Sequence, residues 1–132
     1  MKTFEIATHS DGITDRSIIE YGREGALSTL RLRSNPNKTY KAHDLFECLG
    51  LLRADFPETK FLCKGAKINV YTSRMSSQMS AGLVAYELRL GIPAENEDIV
   101  RIFDYEETNL TNNIQQQREF YTRWIESLAN RC

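Results

Sequence analysis

Apolar and polar positions along this chain alternate between the two-residue period of strands and the 3.6-residue period of helices. Thr3 to Thr8 carries Phe4 and Ile6 on one face and predicts a short strand. His9-Ser10-Asp11-Gly12 reads as a turn. Ser17 to Tyr21 and Ala26 to Arg33 predict two strands of a hairpin joined by Gly22-Arg23-Glu24-Gly25, with Leu30 and Leu32 alternating with Arg31 and Arg33. A helix over the same stretch is the competing reading, and each of its two glycines would cost it about 1 kcal/mol. After the Ser34-Asn35-Pro36-Asn37 loop, Leu45, Cys48, Leu49, Leu52 and Phe56 fall on one helical face. That helix is expected from about Ala42 to Asp55, stopped by Pro57, which disfavours helical geometry in the residue before it.

The second half predicts strands at Phe61 to Cys63 and Lys67 to Tyr71, around Lys64-Gly65. Thr72 to Ser80 fits either a helical turn or an ordered loop. Its Met75 and Met79 read more readily as core fillers than as a binding surface. Leu83 to Leu90 predicts a strand with Val84, Tyr86 and Leu88 inward and Leu83, Ala85, Glu87 and Arg89 outward. Ile99 to Tyr105 predicts another. Thr108 to Asn113 offers helix caps. A final helix should run to about Ala129, with Tyr121, Trp124, Ile125 and Leu128 on its apolar face and Glu119 and Arg123 as an i, i+4 pair on its wet side. The single tryptophan should fasten this helix to the sheet. The fold class expected is α+β: a single domain over residues 1–132, an antiparallel-rich sheet of about six or seven short strands, and two long helices packed on it.

Composition narrows this picture without redirecting it. The chain has 132 residues, 17 Lys+Arg against 18 Asp+Glu, and a formal net charge of −1. A near-neutral whole gives no general attraction to nucleic acid or anionic lipid, so nucleic acid is not an expected partner. No apolar run approaches the roughly 18 residues a membrane span needs. The opening MKTFEIATHSDG lacks the apolar core and cleavage site of a secretory signal. Cys48, Cys63 and Cys132 are too few and scattered for a disulfide framework. Together these point to a cytoplasmic protein with free thiols.

Candidate chemistry is sparse. Cys63 beside Lys64, with His43 elsewhere, is the nearest approach to a Cys-His pair, but a cysteine inside an apolar run is more simply a small core residue. Cys48 sits on the apolar helix face. His9, Ser10 and Asp11 are triad residue types in turn-forming order, not triad geometry. No His/Cys cluster at ligand spacing and no glycine-rich phosphate loop is present, so no metal or cofactor is expected.

The charge pattern says more. Between residues 95 and 107, Glu95, Glu97, Asp98, Asp104, Glu106 and Glu107 face Arg101 alone. Such a stretch is either a solvated rim or an acidic docking face for a basic partner, with Tyr105 as an aromatic anchor. Arg31, Arg33, Lys38 and Lys41 form a basic group with one aromatic, Tyr40, which signals a nucleic-acid site only weakly.

Three runs carry a family resemblance. They are Leu62-Cys63-Lys64-Gly65-Ala66, then Val70-Tyr71-Thr72-Ser73-Arg74-Met75 with Gln78-Met79, Gly82 and Ala85-Tyr86, then Ile102-Phe103-Asp104. With His43-Asp44-Leu45-Phe46 through Leu52-Arg53 upstream, and Gln117, Phe120-Tyr121, Trp124 and Ser127-Leu128 downstream, the chain from about Leu27 resembles a family of small bacterial proteins found with polymorphic toxins of the contact-dependent inhibition type. Thr72 departs from the proline, and Arg74 from the small residue, that the pattern favours. The resemblance implies a non-enzymatic immunity protein that neutralises a cognate toxin, with no catalytic residues to carry over. Together with the charge pattern, it suggests a basic toxin domain covered by Glu95, Glu97, Asp98, Asp104, Tyr105, Glu106 and Glu107. A small hydrolase or transferase working around Cys63 or the Thr72 to Ser80 segment, or a structural subunit of a larger assembly, is the alternative.

Overall fold

The computed structural model describes residues 1–129 and shows an α+β fold with eight strands in two antiparallel sheets and three α-helices. Cys132 lies outside the described residues. The first sheet holds β1 (Lys2–Ser10), β2 (Ile13–Glu24), β3 (Leu27–Leu32), β4 (Tyr40–Ala42) and β5 (Lys60–Leu62), in the order β4-β3-β2-β1-β5. The second holds β6 (Val70–Tyr71), β7 (Val84–Glu87) and β8 (Ile99–Arg101) in chain order. The helices are α1 (Leu45–Asp55), α2 (Arg74–Ser80) and α3 (Ile114–Ala129).

The first hairpin turns more tightly than expected. His9 and Ser10 belong to β1, and only Asp11 and Gly12 make the turn, at φ 51° and 76°. Two left-handed residues give the turn type whose twist matches paired strands. The next turn is Gly25-Ala26, with Gly25 at φ 64°. Gly22, expected in that turn, instead sits inside β2 opposite Thr29. Ser17 to Tyr21 is thus the middle of a strand that runs from Ile13.

Helix α1 begins later than its periodicity suggests. Ala42 completes β4, and Asp44 caps the helix by accepting from the Glu47 amide at 2.9 Å. Its Phe46, Cys48, Leu49 and Leu52 are buried in one core with Ile6, Ile19 and Leu30 of the first sheet and Val70, Ala85 and Ile102 of the second region. Helix α1 therefore supplies the apolar face that both sheets share. Ala85 is fully buried, so the inward face of β7 is the one expected outward, although Leu88 is buried as expected. The reason lies in pairing: Ala85 opposes Val100 of β8 and faces the core beside Val70.

Thr72 to Ser80 resolves into α2. Ser73 accepts from the Ser76 amide at 3.0 Å and Ser76 Oγ accepts from the Ser73 amide at 3.0 Å, a reciprocal cap. Lys67 to Tyr71 shortens to β6, and Lys64–Ala66 is a 3₁₀ turn. Ile99 to Tyr105 shortens to β8 because Ile102 and Phe103 leave the sheet for the core.

Helix α3 is held by polar as well as aromatic contacts. Tyr121 stacks on Tyr71 at 4.5 Å and on Trp124 at 5.9 Å, and the Trp124 indole donates to Ile92 O at 2.9 Å. Trp124 thus fastens the helix, through the loop after β7 rather than a strand. Ile125, expected on the apolar face, is exposed. Arg123 lies over the Phe120 ring. No described helix is long and apolar enough to cross a membrane.

Candidate binding surface

The segment after β8 is pinned from below. Gly65 N donates to Ile102 O at 2.8 Å, Lys64 N to Asp104 O at 2.8 Å, and Glu106 N to Leu62 O at 3.2 Å. With Ile102 and Phe103 buried as the anchor, these bonds leave Tyr105 projecting, its residue 59% exposed. Its hydroxyl donates to Glu107 Oε2 at 2.9 Å, and that bond raises the phenol's pKa. An aromatic side chain held outward by its own neighbour is a low-entropy contact group.

Glu106 does something different. Its Oε1 accepts from Lys64 Nζ at 3.0 Å and lies 3.2 Å from Lys67 Nζ. Its Oε2 accepts from the amides of Glu107 and Thr108 and the Thr108 hydroxyl. Burial alone would push this carboxyl up; the bonds from Lys64, Thr108 and Lys67 more than reverse that and hold it below the usual range. Glu106 is an internal brace of the turn. Of the expected contact set, it is the residue least able to meet a partner.

The other end of the rim is the 3₁₀ turn Asn96–Asp98. Asp98 accepts from the Glu95 amide at 3.0 Å and from Arg89 at 2.9 Å, so it too is engaged. Glu95 and Glu97 are exposed and close together, and the contact with Glu97 raises the Glu95 carboxyl's pKa. Two like charges held side by side leave negative potential that a cation would relieve. A cleft lined by Lys64, Glu87, Arg89, Glu97, Asp98 and Val100 joins this turn to the Glu106 brace. Glu95, Glu97, Asp104, Tyr105 and Glu107 are therefore the solvent-facing members of the set. Lys64 and Lys67, which balance Glu106 and also meet Glu87, and Arg89, which balances Asp98, lie outside the stretch from 95 to 107, so no local charge count could pair them.

Elsewhere the chemistry-bearing residues take structural roles or face outward. Cys63 is fully buried, and burial pushes its thiol up to about 11; Cys48 is pushed to about 12 for the same reason. Neither is a thiolate near neutral pH. Asp44 Oδ2 accepts from Ser77 Oγ at 2.6 Å and lies 3.4 Å from His43 Nε2. The carboxylate sits between serine and histidine, whereas a relay to a serine nucleophile needs the histidine in the middle. Among the described residues, no group of three His, Cys, Asp or Glu stands where it could hold a metal ion.

In the basic group, Arg31 and Arg33 both meet Glu20, Lys38 lies 3.7 Å from Asp55, and Lys41 lies 3.0 Å from Glu24. Met75 and Met79, expected in the core, are 66% and 81% exposed. Helix α2 buries Ser76 rather than its thioethers, because Asp44 and the cap draw its serine face inward.

No protein-family model matches the chain, and no curated protein matches it.

Proposed function

We propose that this chain is a non-enzymatic bacterial binding protein of the immunity type, which neutralises a basic toxin domain by covering its active or substrate-binding face. The reading draws on the family resemblance. The observation that carries it is the outward Tyr105, fixed by Glu107 and bordered by Asp104, together with the exposed Glu95 and Glu97, whose turn shares a cleft with Lys64. A rigid aromatic in a charged surround is the usual composition of an interface hot spot. The opposed charges would accelerate encounter and fix orientation, while the aromatic ring supplies the desolvated contact.

The test begins with the reading frames beside this chain: where one encodes a large secreted protein, its C-terminal domain is co-expressed with the chain. The intact chain should protect cells from that domain. Replacing Glu95, Glu97 and Glu107 by lysine should lower the association rate by about tenfold or more at low salt and flatten its salt dependence. Unchanged association and an unchanged salt slope would remove the acidic rim from the interface.

A further inference from the structure

The first sheet is incomplete on one side. β1 pairs with β2 along its whole length, from Lys2↔Tyr21 to Ser10↔Ile13, but with β5 only at Ala7↔Leu62, Thr8↔Phe61 and His9↔Lys60. Beyond Leu62 the chain turns into the Lys64–Ala66 3₁₀ helix and leaves β1. Among the described residues, Lys2 to Ile6 therefore has no strand neighbour on that side.

The register shows which backbone groups this leaves open. In a two-residue hairpin the pair flanking the turn is hydrogen-bonded, and bonded and non-bonded pairs alternate away from it. Counting from Ser10↔Ile13, Phe4 and Ile6 bond to β2, whereas Thr3, Glu5, Ala7 and His9 point their amides and carbonyls away from it. The observed pairing of Ala7 and His9 with β5 uses that outward set. Thr3 and Glu5 are its next two members, and among the described residues no strand meets them.

A groove of about 490 Å³ runs along this edge, lined among others by Phe4, Ile6, Leu62, Phe103 and Tyr105. Phe103 packs beneath Phe4, its ring centroid 5.6 Å away and its plane tilted by 36°, and backs the groove with apolar surface. Its charged margin is acidic. Arg16 is cancelled by Glu5 across the hairpin at 2.6 Å, which leaves Asp15 and Asp104 exposed. The Glu5–Arg16 pair neutralises the mid-edge member of the charges with which natural edge strands repel other strands, and Lys2 keeps its own. Lys2 stands at the open end, so cationic residues of an incoming strand belong toward Asp104.

We infer that the open edge of β1 from Lys2 to Ile6 is a strand-addition site for an extended partner segment in which apolar and basic residues alternate. The segment would pair with the outward groups of Thr3 and Glu5, lay one face on Phe4 beside Tyr105, and direct its cations at Asp104. This rests on the partner-binding reading above and places part of that contact on backbone rather than on the acidic rim alone.

The experiment uses isotope-labelled full-length chain and a short peptide of alternating lysine and valine, with a proline-interrupted peptide of similar composition as control. In the free protein the Thr3 and Glu5 amides should exchange fast with solvent and those of Phe4 and Ile6 slowly. The alternating peptide should slow Thr3 and Glu5 by about tenfold or more, and the control should not. Thr3→Pro removes one outward donor and leaves the β1–β2 ladder intact, so it should weaken peptide binding by about tenfold, whereas E95Q/E97Q should leave it unchanged. Binding that survives Thr3→Pro and is lost in E95Q/E97Q would overturn the edge site and leave the acidic rim standing. Absence of peptide binding would also overturn it, since protection from the toxin domain is read separately. Slow Thr3 and Glu5 exchange in the free chain, with a dimer that Thr3→Pro dissociates, would assign the edge to a second copy instead. Should Thr3→Pro fail to fold, the exchange measurement on the unmodified chain decides alone.

Discussion

At the scale of single residues, Arg53 has the most demanding environment. It is fully buried, and among the described residues its partners include no carboxylate: Nε donates to Leu49 O at 3.4 Å, Nη1 to Thr111 O at 2.5 Å, and Nη2 to Gln117 Oε1 at 2.7 Å. Burial lowers its pKa to about 10, which still leaves it charged at neutral pH. Gln117 completes the network by donating to Gly65 O at 2.9 Å and Lys67 O at 2.7 Å. A buried polar network is costly to break because each orphaned member keeps its desolvation penalty. Arg53→Ala should destabilise the chain by about 3–5 kcal/mol in chemical denaturation. Gln117→Leu, which leaves the buried Nη2 without its acceptor, should also destabilise it by several kcal/mol, on the order of 3. Because the two share one network, the double variant should cost less than the sum of the single ones.

At the scale of elements, the contact between helices α1 and α2 depends on one backbone conformation. The Ala81 carbonyl accepts from the Leu45 amide at 2.7 Å, and Gly82 follows at φ +81°. A side chain at Gly82 would meet Asp44 Cβ at 2.9 Å and Leu45 N at 3.1 Å. Both the left-handed angle and the close approach require glycine. Gly82→Ala should therefore cost about 1–3 kcal/mol. It should also raise proteolytic cutting within α2 more than within α1, since α2 is short and displays Met75 and Met79 to solvent. Equal cutting of both helices would show that they open together.

At the scale of the whole molecule, the braces that join the sheets to the rim set the pH response. Glu106 has its carboxyl pKa held below the ordinary 4.5, and Lys64 has its pKa raised above 10.5, chiefly by Glu106 itself. A lowered acid stabilises the fold fully above 4.5 and loses that contribution as pH falls through its folded value. A raised base stabilises below 10.5 and loses it as pH rises through its own folded value. The denaturation midpoint should thus be insensitive to this pair near neutrality and fall on the acid side. Glu106→Gln should lower the neutral-pH midpoint and reduce the acid-side slope. Glu20, lowered by Arg31 and Arg33, should keep part of that slope in the variant.

The sequence by itself determined the α+β class, the apolar face of α1, the strand character of β1, β3 and β7, and the terminal helix. Each is written in local periodicity, because burying one face of a helix or strand demands a repeat that neighbouring residues display. Tertiary structure alone decided the split into two sheets, the facing of Ala85, and the burial of Arg53 with Gln117. It also decided which acidic residues are free. Glu106 and Glu107 are adjacent and chemically alike, yet Lys64 and Lys67 take the first, while the second stays exposed and meets the Tyr105 hydroxyl. Met75 and Met79 have core chemistry and lie outside because Ser73, Ser76 and Asp44 fix the rotation of α2. The open edge of β1 is equally invisible in its own residues. It exists because the chain, many positions later, turns away after Leu62, and contacts between segments distant in sequence are what no local pattern encodes.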